Sequence, residues 1–173
     1  MSAQVEIMLD GRRVEALEGE TLLSVATREG IAIPTLCFKD GYRPGGSGRA
    51  CVVAGAGGRR LAPPCSRNVQ PGMDVKTNSE RAKKSQRLVL EMLLADMPER
   101  GHKWADDTGA LPHGELSELA AREGVTVRPE LRALRREQPA PDVSHPAMAL
   151  NLDACIQCTP CVRACREEQV NDV

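Results

Sequence analysis

Four of the seven cysteines lie within eleven residues near the C-terminal end, and they restrict the possible folds more than any other feature. Cys155, Cys158, Cys161 and Cys165 are separated by three, three and four residues in the run DACIQCTPCVRACRE. This spacing places the thiols on a short loop that runs into a helical turn, where they can surround one compact metal–sulfur group. Proteins that hold [4Fe–4S] clusters use the same spacing. The sequence therefore predicts a [4Fe–4S] site at these four cysteines, with electron transfer as the leading function.

Zinc is the competing metal for this run. Structural zinc sites usually take their ligands from two separated pairs, which close a tetrahedron between two turns. Three cysteines within seven residues, as in Cys155 to Cys161, fit one face of a cubane better. In proteins with two such clusters, the fourth cysteine of the run binds the other cluster. The motif for that other cluster should then follow, but only residues 166–173 remain after Cys165. Cys165 therefore either completes a single cluster, or these residues are the beginning of a longer chain that carries the second motif.

Composition argues against several classes of protein. The chain has 23 basic and 24 acidic residues in 173, so its charge balance predicts neither a nucleic-acid partner nor an anionic membrane surface. No apolar run approaches the roughly 18 residues that a membrane span needs, and residues 1–15 lack the apolar segment of a signal peptide. Seven cysteines, an odd number, argue against a secreted disulfide framework. We therefore expect a cytoplasmic protein whose thiols stay reduced for metal binding.

The first eighty residues are expected to contain a hairpin, a helix and further short strands, in that order. Residues 4–17 alternate apolar and polar side chains around Asp10-Gly11, a strong signal for a tight hairpin turn. Thr21 is expected to cap a helix that ends at Gly30. Further extended segments are expected at 31–36, 51–55, 59–65 and 73–77. This order is the one expected of a β-grasp domain.

The longest helical pattern follows this region. It runs from Arg81 to Met97, where Leu88, Met92 and Ala95 form an apolar stripe, and Pro98 ends it. The next segment is polar and interrupted by prolines. Two short helices are expected within it, at Glu115–Arg122 and Glu130–Arg136.

The other three cysteines, Cys37, Cys51 and Cys65, are spaced by fourteen residues each. The stretch from Ile33 to Val75, IPTLCFKDGYRPGGSGRACVVAGAGGRRLAPPCSRNVQPGMDV, resembles the β-grasp [2Fe–2S] domain of the complex I large subunit. NAD-reducing hydrogenase diaphorase subunits and NAD-dependent formate dehydrogenase α subunits share that domain. Four cysteines hold the cluster in this family, and the middle two are three residues apart. The resemblance implies that Cys37, Cys51 and Cys65 are ligands and that Gly48 occupies the fourth ligand position.

Glycine at position 48 leaves several states open. A [2Fe–2S] cluster normally takes four thiolates, and glycine offers no ligand. Ser47 is the nearest oxygen donor, one residue away, and Ser66 follows Cys65, so serine or water can complete the cluster. The alternatives are a labile cluster, a metal-free domain kept as a scaffold, or an altered residue at position 48. Alternatively, Cys51 is a small buried residue on a strand and binds no metal.

The run from Pro146 to Val173, PAMALNLDACIQCTPCVRACREEQVNDV, is more similar to NAD-dependent formate dehydrogenase α subunits than to the other members. In that family this segment opens a pair of [4Fe–4S] sites between a molybdenum or tungsten pterin centre and a flavin subunit that reduces NAD. The resemblance implies two partners, a pterin-binding catalytic domain and a diaphorase subunit that binds FMN and NAD. No pterin-binding domain is present in these residues, so no catalytic residue is assigned.

Complex I large subunits place a further cluster, held by one histidine and three cysteines, between these two regions. No cysteine occurs between Cys65 and Cys155, so the ligands of that cluster are missing. This weakens a direct complex I assignment. The three histidines, His102, His113 and His145, are expected to be ordinary loop or surface residues.

Taken together, these features predict an α+β fold in three parts. A β-grasp [2Fe–2S] ferredoxin-like domain covers residues 1–78, a helical linker 79–146, and the start of a [4Fe–4S] ferredoxin-like domain 147–173. The predicted function is the electron-relay segment of an NAD-linked formate dehydrogenase α subunit. A diaphorase small subunit of an NAD-reducing hydrogenase and a complex I large-subunit homologue are alternatives. A zinc-bearing or metal-free assembly module is an alternative of another class.

Overall fold

The chain divides into two compact units, which are described separately. The computed structural model describes residues 4–98, 114–137, 139–150 and 152–170. Unit 1 comprises residues 1–86 together with 159–173, and unit 2 comprises residues 87–158. The three-part division predicted from the sequence stays a prediction.

Unit 1 begins with the predicted hairpin. β1 (Gln4–Leu9) pairs antiparallel with β2 (Arg12–Leu17) along its whole length. The turn residues Asp10 and Gly11 both have positive φ angles, 50° and 83°, as a tight two-residue hairpin turn requires. Alternate residues of β1 are buried because successive side chains of a strand point to opposite faces. The hairpin prediction is confirmed.

A capped helix covers the buried face of the hairpin. In α1 (Leu22–Arg28) the Thr21 hydroxyl accepts a hydrogen bond from the Ser24 amide at 3.1 Å, which confirms the predicted cap. The helix buries an aliphatic face against the sheet. The core of unit 1 consists of Val5, Ile7, Leu9, Val14, Ala16, Leu22, Val25, Ala26, Val53, Val69 and Val75.

Short strands complete the sheet structure of unit 1. β3 (Val53–Ala54) pairs antiparallel with β4 (Leu61–Ala62), and β5 (Asp74–Val75) pairs parallel with β1. The main sheet therefore has the order β2-β1-β5. It is a mixed sheet, because β2 is antiparallel to β1 and β5 is parallel to it. The Asp10 carboxylate accepts hydrogen bonds from the Thr77 amide and hydroxyl at 2.7 and 2.5 Å, which joins the end of β5 to the hairpin turn. Residues 31–36 join no strand.

The long helix α2 (Glu80–Asp96) agrees with its prediction to within one residue at each end, and of its apolar stripe only Ala95 is buried. Leu88 and Met92 of the predicted stripe are 38% and 61% exposed, so they are not part of the core. The N-terminal part of the helix instead buries Ala82 and Gln86. Gln86 is held there because its side-chain amide donates to the Val52 carbonyl at 2.8 Å. Apolar spacing alone could not reveal a polar residue on the buried face.

Unit 2 contains the end of α2, two further helices and a hairpin. α3 (Glu115–Arg122) has the predicted bounds and buries Leu116, Leu119 and Ala120. α4 (Pro129–Arg132) is a single turn, shorter than predicted. β6 (Asp142–His145) and β7 (Met148–Leu150) form an exposed hairpin that the sequence did not predict.

Two arginines fasten α4 to α2. The Arg128 guanidinium donates to both carboxylate oxygens of Glu91, at 2.7 and 3.1 Å, and the Arg128 amide adds a third hydrogen bond at 3.0 Å. Arg132 donates to the carbonyls of Ala95 and Met97, which have no partner in the helix ladder at its C-terminal end. Side chains in unit 2 therefore satisfy the end of the long helix.

Among the described residues, no helix is both long and apolar enough to cross a membrane. His145 is exposed in β6, and its Nδ1 accepts a hydrogen bond from the Ala147 amide at 3.1 Å. The expectations for His102 and His113 fall on residues 99–113, outside the described residues.

Candidate metal centres

The first three cysteines come from three segments of unit 1. Cys37 lies in the loop after α1, Cys51 precedes β3, and Cys65 follows β4. All three are buried, at most 3% exposed. Cys51 and Cys65 form a small cluster with Leu23, against which Ile33 and Phe38 also pack. The fold thus removes these thiols from water, although they are far apart in sequence.

Cys51 and Cys65 form a close thiol pair. Their sulfurs are 3.7 Å apart, and no disulfide joins them. Two thiolates on one tetrahedral metal ion, with metal–sulfur bonds of about 2.3 Å, lie about 3.8 Å apart. The pair is therefore already spaced to bind one iron.

Hydrogen bonds give the two thiols of this pair different acidities. The Cys51 thiol donates to the Cys65 sulfur, which lowers the pKa of Cys65 to about 6 and raises the pKa of Cys51 above its usual range. The Ser66 hydroxyl and the Gly46 amide also hydrogen-bond to the Cys65 sulfur and lower its pKa further. Donors to a ligand sulfur also tune a bound cluster. The sequence analysis did not predict this pair or the donor roles of Gly46 and Ser66, which follow only from the folded chain.

Gly48 faces the Cys37 thiol. A Cβ built on Gly48 would lie 3.1 Å from Cys37 Sγ and 3.3 Å from Cys37 Cβ, and no other atom would be within 4 Å beyond its chain neighbours. A side chain at position 48 would therefore adjoin Cys37, much as Cys65 adjoins Cys51. With glycine there, position 48 supplies no thiol beside Cys37.

The donor set fits a [2Fe–2S] cluster on one side and is one ligand short on the other. Cys51 and Cys65 can hold one iron, whereas the iron beside Cys37 would lack a second cysteine. Over the ranges described, no group of three or more histidine, cysteine, aspartate or glutamate side chains is gathered as if around a metal ion. The assignment of Cys37, Cys51 and Cys65 as ligands stays a prediction.

The cysteines of the C-terminal run are less buried than the first set. Cys155 follows a 3₁₀ turn (Leu152–Ala154), Cys161 lies in α5 (Pro160–Arg163), and Cys165 lies in a π-helical turn (Ala164–Glu168). These three are exposed, and Cys158, in the loop between them, is partly buried. Left-handed φ angles at Gln157 and Thr159, 55° and 69°, coil this loop.

The two units divide this run. Cys155 and Cys158 belong to unit 2, and Cys161 and Cys165 belong to unit 1. The loop that runs into a helical turn agrees with the expectation from the spacing. The [4Fe–4S] assignment of the four cysteines stays a prediction.

Comparisons with known proteins agree with the first site. Residues 2–80 match the family described as 2Fe-2S iron-sulfur cluster binding domain. Over 94% of its length the chain is 33% identical to an NADH-quinone oxidoreductase subunit of Rhizobium meliloti, of which it covers 19%. Over 96% of its length it is 34% identical to the NADP-reducing hydrogenase subunit HndD of Solidesulfovibrio fructosivorans, of which it covers 28%. The chain thus spans less than a third of the length of these curated relatives.

A solved structure extends this likeness to the fold. It is a chain of the NAD+-reducing [NiFe]-hydrogenase in the H2-reduced state, which aligns with 96% of this chain and with 68% of its own length. The TM-score is 0.73 and the sequence identity 30%. The likeness therefore reaches well beyond residues 2–80.

Proposed function

Residues 2–80 of this chain belong to the 2Fe-2S iron-sulfur cluster binding domains, and from this membership we propose that the chain is an iron–sulfur electron-relay segment of an NADH-linked oxidoreductase. The observation that carries the proposal is the buried Cys51–Cys65 pair, with its sulfurs 3.7 Å apart, inside the matched residues. Homology to proteins of quinone-linked and hydrogen-linked oxidoreductases supports the same function.

The residues of the first site have separate tasks. A bound [2Fe–2S] cluster supplies one-electron chemistry at a potential that the protein sets. Cys51 and Cys65 would hold one iron, and Cys37 would bind the other beside the open position at Gly48. The Gly46 amide and Ser66 hydroxyl stabilise negative charge on the Cys65 sulfur, which raises the reduction potential of the site. Burial of the three thiols keeps water away from them.

We propose that Cys155, Cys158, Cys161 and Cys165 hold a [4Fe–4S] cluster, and the support is their spacing. FMN, NAD and the catalytic metal would lie on other domains or subunits. The flavin- and NAD-binding diaphorase subunit is the proposed partner in every version of this function.

The catalytic partner has two candidates. The relatives and the solved structure favour a hydrogenase or quinone-reductase assembly. A formate dehydrogenase α subunit with a molybdenum or tungsten pterin rests on the run from Pro146 to Val173 alone. Nickel in the purified complex would indicate a [NiFe]-hydrogenase and molybdenum or tungsten a formate dehydrogenase, whereas a quinone-reductase assembly calls for neither metal.

The test of the relay function is the metal content of the anaerobically purified chain. We expect roughly six irons with matching acid-labile sulfide, and two EPR signals after dithionite reduction, if both sites are filled. Roughly four irons and one signal would indicate that the N-terminal domain is a scaffold. Zinc without sulfide would contradict electron transfer and favour an assembly module.

Two matched variants assign the signals. Cys158→Ser should lose the [4Fe–4S] signal and keep any [2Fe–2S] signal, because it removes a ligand of the second set only. Cys65→Ser should do the reverse. Persistence of both signals in either variant would remove that cysteine from the proposed ligands.

A further inference from the structure

Arg163, in the C-terminal cysteine run, reaches the loop of the first cysteine set. It ends α5, two residues after Cys161. Its two terminal nitrogens donate to the backbone carbonyls of Arg43 and Cys37, the second at 2.5 Å. Its Cζ lies 3.8 Å from the position that a Cβ would take at Gly45. All of these residues belong to unit 1.

The loop that Arg163 contacts has little means of holding its own shape. Residues 43–48 read Arg-Pro-Gly-Gly-Ser-Gly, and Gly46 has a left-handed φ of 63°. Glycine loses more conformational freedom on folding than any other residue, so such a loop needs an outside anchor. It carries the Gly46 amide that donates to Cys65 and the Gly48 backbone that faces Cys37. Its position therefore affects both sides of the site.

Arg163 is a stronger anchor than the ion pair between Arg43 and Glu167, which joins the same segments. These two side chains approach to 3.7 Å, but Arg43 is 85% exposed, and exposed ion pairs contribute little. The Arg163 guanidinium is partly buried, and its Nε is fully buried without a hydrogen-bond partner among the described residues. Its two terminal nitrogens both donate to backbone carbonyls of the loop region.

We propose that Arg163 is a positioning residue of the first cysteine site. Its guanidinium fixes the Cys37 and Arg43 carbonyls, holds the loop 43–48 in place, and sets a positive charge beside Cys37. A nearby positive charge favours the reduced form of a bound cluster, so Arg163 raises the reduction potential of this site. This effect on potential rests on the proposed relay function, whereas the effect on the loop does not.

Hydrogen exchange of the metal-free 173-residue chain tests the contact itself. In Arg163→Met, amides of residues 37–48 should exchange about thirtyfold faster than in the wild type, the size expected from losing two hydrogen bonds of ordinary strength. Amides of the β1–β2 hairpin should not change, which would show that the variant is folded. Glu167→Gln, in the same segment, is the matched control and should leave residues 37–48 close to wild type.

Redox titration of the loaded chain tests the charge. The [2Fe–2S] potential should fall in Arg163→Met and stay close to wild type in Arg163→Lys, which keeps the charge but cannot hold both carbonyls. If Arg163 acted only by holding the loop, the reduction potential would fall as far in Arg163→Lys as in Arg163→Met.

Unchanged exchange in Arg163→Met, or equal acceleration in Glu167→Gln, would overturn the proposal whether or not iron is bound. Absence of iron from every form, with faster exchange in Arg163→Met, would instead overturn the relay function and leave the anchoring role in place.

Discussion

Gly48 is the residue on which the state of the first site depends. Its backbone faces Cys37, and a Cβ there would meet only the Cys37 side chain. It is not among the residues with positive φ, so an L side chain can be accommodated without backbone strain. The ligand set therefore lacks its fourth member because position 48 has no side chain, although the backbone there has a conformation that can carry one.

Gly48→Cys should raise the [2Fe–2S] content of the chain, because it supplies the fourth thiolate beside Cys37. The Cys37 side chain has to move by only a few tenths of an ångström to admit the new Cβ, given the 3.1 Å contact. Iron per chain and integrated EPR signal measure the outcome. Gly48→Ala is the control, because it adds the same Cβ without a ligand. Equal iron content in the glycine, alanine and cysteine forms would refute the assignment of position 48.

At the scale of elements, the Glu91–Arg128 pair makes the stability of unit 2 depend on pH. The hydrogen bonds that Arg128 donates lower the pKa of Glu91 below its usual range. A carboxylate with a lowered folded-state pKa stabilises the fold above its unfolded pKa of about 4.3, and this contribution is lost as the pH falls through the folded value.

Glu91→Gln should therefore be less stable than the wild type at neutral pH, and the difference should shrink as the solution is acidified. Urea unfolding followed by far-UV circular dichroism from about pH 7 to pH 3 measures it. Glu118→Gln, an exposed glutamate of α3, should follow the wild-type curve. A constant gap between Glu91→Gln and wild type at all pH values would be inconsistent with the lowered pKa.

Elements with local signals were predictable from the sequence. The Asp10-Gly11 turn and the Thr21 cap depend on residues within a few positions, and both occur as predicted. The burial of Gln86 in α2 was missed because its side chain is held by Val52, 34 residues away. The β6–β7 hairpin was missed because all of its residues are exposed and carry no alternating pattern.

The candidate site follows the same division. The family resemblance implied Cys37, Cys51 and Cys65 as ligands, but neither it nor the spacing paired Cys51 with Cys65. No spacing rule could relate Arg163 to Cys37, because their hydrogen bond spans 126 residues. The candidate ligands could therefore be named from the sequence, whereas their pairing and the groups that position them depend on tertiary structure.

At the scale of the whole molecule, metal bound at the first site should stabilise one unit only. A metal that binds only the folded form of unit 1 shifts the folding equilibrium of that unit by mass action. The helix α3 belongs to unit 2, and none of Cys37, Cys51 and Cys65 lies there.

In Cys158→Ser, which lacks a ligand of the second set, removal of iron by a chelator under reducing conditions should therefore accelerate hydrogen exchange of the β1–β2 hairpin amides while those of α3 keep their rates. The iron-loaded and chelated forms of this variant are compared by mass spectrometry. Equal acceleration in the hairpin and in α3 would show that the units unfold together, contrary to this expectation.

The hairpin of β3 and β4 has a consequence for the order in which the first site is built. Cys51 and Cys65 flank these two strands, so closing one loop of fourteen residues brings their sulfurs together. Short loops close in well under a microsecond and hairpins form within about ten, far faster than contacts between distant segments. We therefore expect the thiol pair to form early in folding, and Cys37 and the Arg163 contact to join it later. The growing chain would thus offer two neighbouring thiols to a first metal ion before the rest of the site has folded.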